Sequence, residues 1–109
     1  MSLHAGLDLL GLGARAGTVL FGVGAVQAGL RRGDVVLVVV ARDRSARAVE
    51  KVERAARGHG VEVVEGPPAA ELGAAVGRAP LMAAGITDPR LAAGYRARQG
   101  ERTGGSRGE

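Results

Sequence analysis

The chain has 109 residues and a mass of 11.0 kDa, enough for one ordinary domain and too little for two full cores. Hydrophobic residues make up 46% and charged residues 24%, which excludes collagen-like, coiled-coil and wholly disordered organisation. Cysteine is absent, which excludes disulfide frameworks, thiolate zinc sites, iron–sulfur clusters and cysteine nucleophiles, while a net charge of +4 admits a polyanionic partner.

The first eight residues carry no basic region, and Asp8 interrupts their apolar pattern, so no secretory signal is expected. Leu3, Leu7 and Leu10 share helical spacing and predict a first helix to about Ala16, stopped by Gly17. Thr18–Phe21 is a short strand, after which Gly22 opens a second helix with Val23, Val26 and Leu30 on one face and its end at Gly33. Val35 to Ala41 is apolar at every position, as expected of a central strand covered on both sides. It is also the longest apolar run, far short of the roughly 18 residues needed to cross a bilayer. A soluble, cytoplasmic protein with no membrane partner is the expectation.

Ser45 caps a third helix through Arg57, whose inward face is Val49, Val52 and Ala56, and Gly58-His59-Gly60 ends it. Val61–Glu65 is a third strand, Gly66-Pro67-Pro68 a turn, and Ala70–Gly77 a short helix. Pro80–Ile86 supplies a fourth strand, followed by Asp88 as the cap and Pro89 as the first residue of a last helix to about Arg98. The expected domain is therefore 1–98, and 99–109, rich in Gly, Ser and charge without an apolar anchor, is expected to be a disordered tail. Helices must cover both faces of the central strand, so the fold expected is a three-layer α/β/α sandwich with a mixed sheet of about four strands.

Few residue patterns point to chemistry. Phe21-Gly22-Val23-Gly24 with Asp43 about 20 residues later matches part of a dinucleotide fingerprint. Gln27 occupies the third glycine position, however, and the chain lacks the length for two nucleotide-binding halves. His4 and His59 have no ligand-type neighbours at metal-binding spacing, and no Ser-His-Asp arrangement is available, so neither a metal, a cofactor nor catalysis is expected. Fourteen of the fifteen basic residues are Arg, a bias that a GC-rich genome also produces. The charges Arg42, Arg44, Arg47, Lys51, Arg54 and Arg57 fit a solvated amphipathic face or a phosphate-binding surface. On the second helix, Gly24, Ala25, Ala28, Arg31 and Arg32 share the side opposite the core stripe, so nearly bare backbone lies beside two arginines. Only Phe21 and Tyr95 are aromatic, too few for a platform that stacks several bases.

Several segments together resemble the ribosomal L7Ae/L30e/S12e superfamily, with its bacterial YlxQ-like branch closest in look. They are Leu9-Leu10-Gly11-Leu12-Gly13-Ala14-Arg15-Ala16-Gly17-Thr18, Gly22 to Gly33, the strand Val35 to Ala41 with Arg42-Asp43, Glu71 to Gly77, and Ile86-Thr87-Asp88-Pro89, spanning about residues 3 to 97. The resemblance implies a compact α/β/α sandwich, no enzyme activity, and binding to kink-turn RNA through the helix that starts at Gly22. Archaeal and eukaryotic members carry Gly-x-Asn-Glu-x-x-Lys on that helix. Here Gly22 is kept, while Gly24, Ala25 and Ala28 stand at the Asn, Glu and Lys positions. Glycine and alanine offer no side-chain donors or acceptors to base edges.

The residues expected at an RNA interface are Arg15, Arg31 and Arg32 for phosphates, Gly22, Val23, Gly24 and Gln27 for close approach, and Ile86 and Thr87 from the loop that the resemblance places against extruded nucleotides. The expected partner is structured RNA, ribosomal RNA included, with ribosomal or translation-associated proteins and without DNA. The competing expectation is a protein-interaction module on the same fold.

Overall fold

The computed structural model describes the backbone of residues 6–107 and the side chains of residues 6–99. The elements are α1 (Leu7–Ala16), β1 (Val19–Phe21), α2 (Val23–Arg32), β2 (Leu37–Val40), α3 (Ala46–Gly58), β3 (Glu62–Glu65), α4 (Ala69–Ala75), β4 (Ala83–Ile86) and α5 (Pro89–Arg107). The strands form one mixed sheet in the order β1-β4-β2-β3. β4 runs antiparallel to both β1 and β2, and β2 and β3 are parallel.

β2 is central and all four of its residues are buried, as its unbroken apolar sequence requires. Alternation sends Leu37 and Val39 to one face, with Leu10 of α1, Leu72 of α4 and Tyr95 of α5. Val38 and Val40 face the other way, with Val26 and Leu30 of α2 and Val49 and Val52 of α3. Each such side chain is worth about 1.5–3 kcal/mol on burial, so the two half-cores meeting on β2 define the three-layer sandwich. Arg98 ties α1 to α5 by donating to Asp8 Oδ1 at 3.1 Å, and this hydrogen bond holds the Asp8 carboxyl below its ordinary range.

Helix starts follow the local chemistry. The Ser45 hydroxyl accepts from Ala48 N at 3.1 Å to cap α3, and Asp88 Oδ1 accepts from Arg90 N at 2.9 Å at the start of α5. Three boundaries differ from expectation by three residues or more, the others by one or two. α1 begins at Leu7, and Leu3 and His4 lie outside the described residues. β4 begins at Ala83 rather than Pro80, because proline lacks the N–H of a central ladder and Leu81 N is engaged by Ala69 O at 3.1 Å. α5 continues to Arg107, into the segment expected as tail. No proline after Pro89 interrupts it, and each residue added to an existing helix closes one further backbone bond.

Candidate nucleic-acid interface

The mixed sheet has two chemically distinct ends. At one, Gly22 N donates to Ala83 O at 2.9 Å, Ala41 N to Met82 O at 2.9 Å, and Arg42 N to Pro67 O at 3.0 Å. This Gly22 end therefore gathers the close of β1, the close of β2 and the approach to β4. It also gathers the N-termini of α2, α3 and α4, all of which follow strands ending there. At the other end Val36 N donates to Ile86 O at 2.8 Å and Thr87 N to Thr18 O at 3.0 Å. The aligned dipoles of α2 and α3 place their positive poles at the Gly22 end.

Among these starts, that of α2 has no side-chain cap. Gly22 is its N-cap, with φ 89° and ψ 157°, a backbone conformation open essentially only to glycine, and no side chain accepts a hydrogen bond from its first turn. The first helical bond is Val26 N to Gly22 O at 3.0 Å, so the amides of Val23, Gly24 and Ala25 have no intrahelical acceptor. Gly24 and Ala25 are exposed, which leaves these donors accessible to a phosphate oxygen. By contrast, the start of α4 is occupied: Asp43 Oδ1 accepts from Ala69 N at 2.8 Å. That bond engages the carboxylate expected of a ribose ligand in the dinucleotide reading.

Around the open turn lie Arg42, Arg47 and Lys51, expected from the sequence as a solvated face or a phosphate-binding surface, and Arg78, which the sequence did not single out. Arg78, in the segment between α4 and β4, sits with its guanidinium carbon 4.5 Å from the centroid of the Phe21 ring. Arg78 N donates to Gly73 O at 2.8 Å, folding the segment back onto α4. A Cβ at Gly73 would collide with the Ala79 carbonyl, so only glycine permits that approach. Arg47 and Lys51 of α3 line a groove with Val23 and Gln27 of α2. Among the described residues, no carboxylate lies within 4.0 Å of Arg42, Arg47, Lys51 or Arg78. Arg44 is different, its guanidinium tied to Ala41 O, Glu65 and Glu53.

Of the residues expected at the interface, Gly22, Val23, Gly24 and Gln27 are brought together at this end. The others are not. Arg31 and Arg32 occupy the last turn of α2, about 15 Å along a ten-residue helix, and Arg32 Nε is paired with Asp34 at 2.8 Å. Ile86 pairs with Val19 at the far end of β1, and the Thr87 hydroxyl donates to Thr18 O at 3.2 Å, latching the sheet. Arg15 belongs to the opposite layer, in a groove between α1 and α4 with Leu12, Glu71 and Ala75. His59 is the exposed C-cap of α3. Among the described residues no group of three acids or histidines is placed to hold a metal, and no helix is long and apolar enough to cross a membrane.

Comparison with known proteins agrees with this architecture. A structure of a protein with unknown function from Bacillus halodurans C superposes with a TM-score of 0.79 at 27% identity, covering 84% of this chain and 93% of that one. The Giardia lamblia 15.5kD RNA binding protein superposes with a TM-score of 0.74 at 24% identity, covering 87% and 82% respectively. No curated protein matches the chain significantly in sequence. The model of the Ribosomal protein L7Ae/L30e/S12e/Gadd45 family matches residues 5–93, nearly the whole described domain, and the chain belongs to this family.

Proposed function

We propose that the protein is a non-catalytic, cytoplasmic RNA-binding protein of ribosomal type, which engages a bent, kink-turn-like RNA at the Gly22 end of the sheet. The observation that carries the reading is the uncapped start of α2, where three amides without helical acceptors share one end of the sheet with Arg47, Lys51 and Arg78, none of which has a carboxylate within 4.0 Å among the described residues. Family membership and the RNA-binding description of the Giardia structure support the same partner. Gly24, Ala25 and Ala28 offer no base-reading side chains, so recognition here is of backbone shape and phosphate position.

The test is binding of nucleic-acid-free protein to a kink-turn RNA and to a straight duplex of equal length across a salt series. The reading predicts tighter binding to the bent RNA at every salt concentration. Weak, equal binding that vanishes with salt refutes it. One observation favours a second reading as a protein-docking module: Leu12, in the groove between α1 and α4, is 52% exposed and is the large apolar side chain left uncovered among the described residues. A stable heteromeric complex lost on Leu12→Ser, with no preference for bent RNA, selects that reading.

A further inference from the structure

We propose that the groove between α2 and α3 is a second, phosphate-binding part of the interface, holding a stretch of RNA backbone that leaves the bend. Arg47 and Lys51 are its phosphate ligands and Gln27 is a polar contact from the facing helix. The proposal rests on the RNA-binding reading above and extends it to a surface away from the α2 amides.

α2 and α3 both start at the Gly22 end and pack side by side through Val26, Leu30, Val49 and Val52. The groove between them therefore begins beside the uncapped amides and runs away from them along both helices. Val23 and Val52 contribute to its walls, and Gln27, Arg47 and Lys51 also line it. Arg47 and Lys51 are exposed and lie one turn apart on one face of α3. One turn is about 5.4 Å, comparable to the step between neighbouring phosphates on a stacked strand. A single carboxylate lines the groove, that of Glu50, and Arg54 Nη2 holds it at 2.8 Å. The two cations of the groove thus keep their charge uncompensated, in contrast to Arg44, Arg54 and Arg96, each of which has an acid partner.

An extended polyanion fits this arrangement better than an isolated ion, because the charges are serial and the groove is open at the α2 start. RNA fits better than an acidic peptide, because the groove continues a row of amide donors suited to phosphate oxygens. Each phosphate contact to single-stranded nucleic acid contributes about 0.7 to the slope of log affinity against log salt. Two contacts predict a loss of about 1.4.

The experiment compares wild type with Arg47→Gln/Lys51→Gln. Both side chains are exposed, so the fold is preserved, checked by an unchanged melting temperature. The probes are a kink-turn RNA, the same RNA with one flanking strand trimmed back to the bend, and a polyglutamate peptide. The proposal expects the variant to lose about 1.4 in slope on the full RNA and much less on the trimmed one. Wild-type selection of the bent RNA with an unchanged slope in the variant overturns the groove while leaving the function above intact. No selection of bent RNA by wild type overturns that function, and the groove with it. Equal loss of polyglutamate and RNA binding overturns the assignment to RNA.

Discussion

Two glycines two residues apart are expected to respond to alanine in opposite directions. Gly22 has φ 89° and ψ 157°, and a Cβ there meets nothing within 4 Å. Gly22→Ala therefore introduces no clash, and its cost is the conformation alone, about 1–3 kcal/mol for a side-chain-bearing residue in that region. Gly24 is within α2, with helical backbone and likewise nothing within 4 Å of its Cβ. Gly24→Ala gains helix propensity and removes unfolded-state entropy, worth about 0.5 kcal/mol so close to the helix start. The assay is urea unfolding with a common slope. A slope of about 2 kcal/mol/M turns the first change into a fall of about 0.5–1.5 M in midpoint and the second into a rise of a few tenths. Equal shifts of the same sign, or a neutral Gly22→Ala, refute the assignment of Gly22 as the strained cap that exposes the α2 amides.

The remaining predictions address pH and recognition. Burial pushes the phenol of Tyr95, which is 0% exposed, from its ordinary 10.0 up to about 12. Below pH 10 both states are neutral there and stability is complete. Between about 10 and 12 the unfolded chain ionises first, so urea stability falls by about 2–3 kcal/mol. Tyr95 is the sole tyrosine, so tyrosinate absorbance reports it alone; a titration near 10 in the folded protein contradicts its burial, and Tyr95→Phe should remove this pH dependence. Restoring the polar readers with Gly24→Asn, Ala25→Glu and Ala28→Lys is expected to raise affinity for kink-turn RNA at least tenfold. A good bidentate base contact is worth about 1–3 kcal/mol, and unchanged binding by gel shift places the RNA elsewhere.

Features set by neighbouring residues were legible in the sequence. The run Val35 to Ala41 announced the covered strand, Ser45 and Asp88 announced helix caps, and Gly22 announced the break before α2. The family resemblance implies that this break starts the helix proposed above to meet RNA. What escaped was long-range order. Whether Ile86 or Ala83 stands beside Gly22 depends on the antiparallel register of β4 on β1, which local pattern does not encode. Taking Pro80 as strand concealed the segment that brings Arg78 over Phe21. Proline's missing donor was the signal available to end that strand. Arg31 and Arg32 share a helix side with Gly24, but angular position around a helix does not record distance along it.

The central claim is that RNA meets the Gly22 end of the sheet, and amide-resolved NMR during titration with kink-turn RNA tests it most directly. The largest perturbations are predicted at Val23, Gly24, Ala25 and Gln27, with Arg47, Lys51 and Arg78, while Arg15, Arg31, Arg32 and Thr87 stay near their free positions. Perturbations centred on Arg31, Arg32, Ile86 and Thr87, with the α2 start unmoved, would place the RNA at the opposite end and contradict the claim.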